Sequence, residues 1–232
     1  MKMMKVLVSD SLGQGGMAVL RREKNLQVDE KVGLKPEELK KIIGDYDAIL
    51  VRSATKVTKE IIEAGTKLRV IGRAGVGVDN VDLEAATKRG IIVMNTPEGN
   101  TISTAELSFS MLMAVARNIP QADTHVKKGE WKRNKFKGSE LNGKTLGIVG
   151  FGRIGREVAK RARAFNMKIM VFDPFISKES VKEWPVEFVD IPTLLRNSDF
   201  LTFHTPLTPE TKNLLDKETF KLCKQGMRIV NC

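Results

Sequence analysis

Short apolar runs alternate with longer amphipathic stretches over the first hundred residues. Residues 6–8, 26–28, 48–51, 70–73 and 91–94 are runs of the kind that fill a sheet buried on both faces. Helical patterns lie between them, at 15–24, at 36–43, from the cap Thr58 to just before Gly65, and at 81–89. Pro36 suits a first helical turn, where its missing N–H is no loss, and Gly44 and Gly90 mark helix ends. Repeated strand–helix units predict a doubly wound parallel sheet. Asn95-Thr96-Pro97 breaks the pattern and sets a boundary between a domain of residues 1–97 and a second of residues 98–232.

A long helix is predicted at 103–118. Leu107, Met111, Leu112 and Val115 place apolar side chains on more than one of its faces, which predicts burial between domains or subunits. Pro120 falls near its end, and a loop carrying Trp131 leads to residue 144. Strand and helix then alternate again: strands at 145–149, 169–172, 199–204 and 228–230, helices at 153–166, 191–197 and 217–224, and a rigid Thr-Pro-Leu-Thr-Pro loop at 205–209. The fold class is α/β, with two doubly wound parallel-sheet domains. The second is read as incomplete on its C-terminal side.

The strand at 145–149 opens into Gly150-Phe151-Gly152-Arg153-Ile154-Gly155, a G-x-G-x-x-G turn followed by a helix, a second strand and Asp173, 18 residues beyond Gly155. Alone the glycine pattern is weak, but here every surrounding element falls in place. Gly150 permits the tight turn, Gly152 lets a pyrophosphate approach the backbone, and Gly155 lets the helix lie on the sheet. The helix N-terminus offers unpaired N–H groups to the phosphates. Asp173 can accept hydrogen bonds from the adenosine ribose and would repel a 2′-phosphate, so NAD is favoured over NADP.

Composition narrows the partners. In 232 residues, 41% hydrophobic content supports a packed core, and no apolar run approaches the ~18 residues of a membrane span. The N-terminal apolar stretch is too short for a signal peptide. Two cysteines, Cys223 and Cys232, give neither a disulfide framework nor a metal cluster, so no metal is expected and a reducing, cytoplasmic setting fits. The net charge of +11 attracts anions. Without a helix-turn-helix, a zinc finger or an aromatic-interleaved basic tract, phosphorylated metabolites are favoured over nucleic acid. Lys127, Lys128, Lys132, Arg133, Lys135 and Lys137 form the densest basic cluster. It reads either as a solvated loop or as an arm reaching an anionic substrate, even one in a neighbouring subunit.

The whole chain resembles the D-2-hydroxyacid dehydrogenase family. The resemblance is carried by residues 51–58 (VRSATKVT), 72–80 (GRAGVGVDN), 95–100 (NTPEGN), 141–147 (LNGKTLG), 204–207 (HTPL) and 228–232 (RIVNC). It implies a flavodoxin-like substrate domain followed by a Rossmann NAD-binding domain. The Arg52-Ser53 and Gly99-Asn100 forms favour the branch that oxidises 3-phosphoglycerate to 3-phosphohydroxypyruvate, the first step of L-serine synthesis.

Site residues follow from the same resemblance. Substrate would meet Arg52, Ser53, Gly75, Val76, Gly77 and Asn100. Arg52 offers a planar fork of donors for carboxylate or phosphate, or is a surface ion-pair residue. Gly75-Val76-Gly77 precedes a helix and can form an anion nest or a plain turn. Asn100 can donate to a phosphate or cap the next helix. NAD would meet Val76, Gly150, Gly152, Arg153, Ile154, Gly155 and Asp173, with His204, Thr205 and Pro206 along the adenine and nicotinamide side and Cys232 near the nicotinamide.

His204 reads as a strand-end packing residue and His125 as a solvated surface residue, neither of them catalytic. The family's arginine, glutamate and histidine are expected beyond Cys232, so no catalytic residue is assigned here and the chain alone is expected to be inactive. A homodimer or homotetramer is expected. The alternatives are another family member, such as a glyoxylate or hydroxypyruvate reductase, and a non-catalytic NAD-sensing protein; a basic nucleic-acid binder ranks behind both.

Overall fold

Every strand of the first sheet is parallel, and β1 (Met4–Val8) lies between β2 (Leu26–Glu30) and β3 (Ala48–Val51). Beyond β3 lie β4 (Val70–Arg73) and β5 (Ile92–Asn95), giving the order β2-β1-β3-β4-β5. The crossovers are α1 (Gln14–Arg22), α2 (Pro36–Ile42), α3 (Lys59–Ala64) and α4 (Leu83–Lys88). Leu7, Ile49, Val51 and Ile71 meet Leu39, Ile61, Ile62 and Ala86 in one core. Each fully buried aliphatic side chain contributes about 1.5–3 kcal/mol. This computed structural model describes residues 3–177 and 179–232, and the chain divides into two compact units between Asn100 and Thr101.

The second unit begins with α5 (Thr101–Arg117) and α6 (Ile119–Lys127). Then come β6 (Thr145–Val149), α7 (Arg153–Ala164), β7 (Lys168–Phe172), β8 (Glu187–Phe188), α8 (Ile191–Asn197), β9 (Phe200–Phe203), α9 (Lys217–Phe220) and β10 (Arg228–Asn231). Its sheet is again parallel, in the order β10-β9-β6-β7-β8. Alternation along β6 explains the layering. Leu146 and Ile148 face a core built with Phe109, Leu112, Val158 and Ala162 of α5 and α7, whereas Val149 faces Leu194 and Leu195 of α8. Both sheet faces are covered, as parallel sheets require.

The structure corrects several expectations. The long helix stops at Arg117, because Asn118 adopts a left-handed conformation with φ 53°. Pro120 does not close that helix but stands in the first turn of α6, where a proline costs nothing. Part of the expected loop is therefore helical, Lys127 ends α6, and Arg133–Phe136 forms a 3₁₀ turn. That arrangement buries His125, which was expected in solvent. It is 8% exposed, its ring stands edge-on to Phe136 at 5.0 Å, and Nδ1 lies 3.4 Å from Glu130.

The helix expected from residue 81 begins at Leu83, because Val81 bridges to Val57 and Asp82 caps the helix through the Ala85 N–H. Thr58 stands at an N-cap position, but its hydroxyl donates to Glu60 rather than capping the backbone. The helix expected at 217–224 shortens to α9, and the two-residue β8 was too short to read. On α5 one stripe is buried, through Ala105, Phe109, Leu112 and Ala116, while Leu107, Met111 and Val115 are exposed. No helix among the described residues is long and apolar enough to cross a membrane.

The α5–α6 junction gives a direct test. Asn118→Val should cost about 1–2 kcal/mol, since a β-branched residue resists the left-handed conformation, whereas Asn118→Gly should cost far less. Thermal denaturation of the two variants should show that order, and equal melting temperatures would contradict the junction.

Candidate functional site

Three strand ends are stitched together where β6 stops. The Gly150 N–H donates to the Phe172 carbonyl at 2.8 Å, and the His204 N–H donates to the Val149 carbonyl at 2.8 Å. Gly150 has φ +92°, and a Cβ on it would sit 2.6 Å from the His204 carbonyl oxygen. Only glycine fits both restraints. A Cβ on Gly155 would collide with the Gly150 carbonyl oxygen, so α7 can pack down onto the turn only with glycine there. Gly152 is different: it precedes α7, and nothing lies within 4 Å of its missing Cβ. Gly152 is the N-cap of α7, where a helix carries the positive end of its dipole.

Asp173 follows β7 and faces this turn. Its Oδ2 accepts the Phe151 N–H at 2.8 Å and its Oδ1 accepts the Phe175 N–H at 2.9 Å. A carboxylate has about four acceptor positions, so lone pairs remain for sugar hydroxyls. Gly150, Gly152, Gly155, Asp173 and the His204-Thr205-Pro206 segment thus gather at the C-terminal ends of β6, β7 and β9, where strand order reverses. Arg153 is exposed on the first turn of α7, and Ile154 packs against the core. Cys232 is exposed at the end of β10, one strand further out, with Sγ 3.5 Å from the Met111 sulfur. His204 Nε2 lies 3.1 Å from the Thr202 hydroxyl, and burial pulls its pKa from 6.5 down to about 4. The ring is neutral at neutral pH.

The first unit has its own site at the same kind of sheet edge. Arg52 and Ser53 follow β3, and with Gly75, Val76, Gly77 and Asn100 they line a cavity of about 410 Å³. All six expected substrate residues are therefore brought together. Asp10, after β1, organises the Arg52 loop: its carboxylate accepts the Arg52 N–H at 2.6 Å, the Thr55 N–H at 3.1 Å and the Thr55 hydroxyl at 2.6 Å. Burial raises the Asp10 pKa, but these hydrogen bonds and one from Ala54 outweigh it, and the net shift is downward. Asn80 ties the other side, donating to the Arg52 and Thr55 carbonyls at 2.7 and 2.6 Å.

Four lining residues carried no assignment from the sequence: Arg73, Ala74, Thr96 and Gly99. Arg73 ends β4, with only 10% of its side chain exposed; it pairs with Asp79 at 2.8 Å and donates to the Arg52 carbonyl at 3.3 Å. Its signal was available, since a second arginine ends a neighbouring strand. Thr96 donates to the Gly75 carbonyl from its N–H at 3.0 Å and from its hydroxyl at 3.3 Å. The Gly75-Val76-Gly77 geometry also departs from expectation. No helix starts there, because α4 begins only at Leu83, and the Gly75 N–H is already donated to the Arg73 carbonyl at 2.9 Å. Among the described residues no cluster of side chains could hold a metal ion.

A parallel sheet in this order, with a glycine turn at its switch point and an acid closing on that turn, defines a dinucleotide-binding α/β protein. Residues 109–232 match the NAD binding domain of the D-isomer specific 2-hydroxyacid dehydrogenases, and the chain belongs to that family. It is 54% identical over 228 residues to D-3-phosphoglycerate dehydrogenase of Rattus norvegicus, an alignment that takes in 98% of this chain and 43% of the relative. The chain therefore spans less than half the length of that relative. Among solved structures, a protein of Thermus thermophilus superposes with a TM-score of 0.90 at 36% identity, covering 98% of this chain and 73% of that one. The NAD⁺-bound 3-phosphoglycerate dehydrogenase of Entamoeba histolytica gives 0.82 at 34%, covering 99% and 71%.

The depressed pKa of His204 fixes a pH dependence. The unfolded chain binds a proton at His204 near pH 6.5, and the folded chain resists it down to about 4. Its contribution to stability is complete above 6.5 and is lost as pH falls through that window. Urea unfolding at several pH values should show that decline, and His204→Gln should flatten it. An unchanged slope in His204→Gln would assign the decline to other groups. The Asp10 contribution should be lost only at lower pH, below the ordinary carboxylate value of 3.8.

Proposed function

We propose that this chain carries the substrate- and NAD-binding parts of a dehydrogenase that oxidises 3-phosphoglycerate to 3-phosphohydroxypyruvate. The observation that carries the reading is the turn from Gly150 to Gly155, locked between β6 and β9 and closed by Asp173. The open space over Gly152 fits a pyrophosphate. NAD, when bound, supplies the acceptor for the hydride that leaves carbon 2 of the substrate. The N–H groups around Arg153 and Ile154 hold the phosphates, Asp173 holds the ribose hydroxyls, and His204, Thr205, Pro206 and Cys232 lie along the rest of the dinucleotide.

On the substrate side, Arg52 and Ser53 at one strand end and Asn100 across the cavity offer donors to phosphate and carboxylate oxygens. Asp10 and Asn80 hold the Arg52 main chain in place, so the loop that carries Arg52 and Ser53 needs little ordering when substrate arrives. The proton of the substrate hydroxyl needs a base near neutral pH. His204 is held neutral by burial but lies at a strand end against Thr202, and His125 is packed against Phe136. Neither suits that role, which agrees with an acid–base group outside these 232 residues.

The 232-residue chain should bind NAD in calorimetry yet show no turnover of 3-phosphoglycerate. Turnover by the purified chain would overturn the assignment of the base. Asp173→Asn should lower the preference for NAD over NADP by roughly tenfold, because it removes the charge that opposes a 2′-phosphate. An unchanged ratio would remove Asp173 from the ribose site. Self-association belongs to the same reading, through the exposed Leu107, Met111 and Val115 of α5. Sedimentation velocity should show a dimer or tetramer that Met111→Glu shifts toward monomer.

A further inference from the structure

Arg156 lies outside the glycine pattern, yet it grips the turn. Its Nε–H donates to the Phe151 carbonyl at 3.1 Å. Its guanidinium carbon sits 5.7 Å from the centre of the Phe151 ring and 6.0 Å from that of Trp184. Those two rings meet edge to face, 5.4 Å apart at 88°. Phe151, between the first two glycines, is thus held at both backbone atoms, its N–H by Asp173 and its carbonyl by Arg156. No peptide bond among the described residues is cis. In a trans peptide the carbonyl and the following N–H point in opposite directions, so fixing the Phe151 oxygen fixes the direction of the Gly152 N–H. Residue 152 is the position left open to a ligand.

We propose that Arg156 is a positioning residue for the dinucleotide phosphates, and that its approach to the Trp184 ring makes Trp184 a reporter of the occupied turn. This rests on the dinucleotide-binding reading above. Arg156 holds the Phe151–Gly152 peptide so that the Gly152 N–H is ready for a phosphate oxygen without reorientation. Lysine would keep the charge but lose the directed Nε–H bond to the Phe151 carbonyl, so charge alone does not supply this role.

The test uses the full 232-residue chain with Trp131→Phe, which leaves Trp184 as the only tryptophan. NAD is titrated by calorimetry and by tryptophan fluorescence. NAD binding with a change in Trp184 emission is expected. Arg156→Lys should weaken NAD binding roughly tenfold and abolish the emission change, as loss of one directed hydrogen bond to the turn implies. The Gly152 amide resonance should also lose its NAD-induced shift, a change that a general loss of stability would not single out. If the parent does not bind NAD, the dinucleotide-binding reading itself fails. If the parent binds and Arg156→Lys binds equally with the same emission change, the positioning role is overturned. Should Arg156→Lys fail to fold, Trp184→Leu removes the ring that meets both Arg156 and Phe151. A roughly threefold loss of NAD affinity supports the coupling, and an unchanged affinity contradicts it.

Discussion

Backbone meets backbone at Gly150, and the rest of the nucleotide unit is arranged around that contact. The turn passes so close to the His204 carbonyl that no side chain fits at residue 150. The Gly155 segment of α7 then descends onto the Gly150 carbonyl, again with no room for a Cβ. These two approaches place the N-terminus of α7 over the gap between β6 and β9. The positive end of the helix dipole lies there. Asp173 and Arg156 complete the turn by holding Phe151 from opposite sides. Steric exclusion thus sets the shape, and hydrogen bonds set the direction in which the donors point.

Each unit uses strand order in the same way. In the first sheet the order reverses between β1 and β3, and Asp10 and Arg52 lie at those strand ends. In the second it reverses between β6 and β9, where the glycine turn lies. Helices leave in opposite directions at such a point, so the loops part and a crevice opens. At the first of these points Arg52 and Ser53 end β3 and also reach the neighbouring cavity beside β4; at the second the glycine turn presents backbone N–H groups.

Much of this was legible in the sequence because buried parallel strands are continuous apolar runs. Residues 48–51, 70–73 and 145–149 could be placed without error for that reason. The glycine turn was legible because its residue types answer steric demands within six positions. What escaped depends on distant or ambiguous partners. Pro120 can close one helix or open another, and the sequence does not distinguish them. His125 is buried by that second helix together with a turn at Phe136, so its environment was hidden with α6. Asp10 acts through bonds to Arg52 and Thr55, more than forty residues away, and Arg156 through Trp184. No local pattern announces such contacts.

The locked turn and its neighbouring strand ends are proposed as the dinucleotide site. Amide chemical-shift mapping of the ¹⁵N-labelled chain during titration with NAD tests it most directly. The account predicts saturable shifts concentrated at residues 150–155, 173–175 and 204–206, with residues 4–30 of the first sheet unmoved. Saturable shifts centred elsewhere, or none at millimolar NAD, would contradict it.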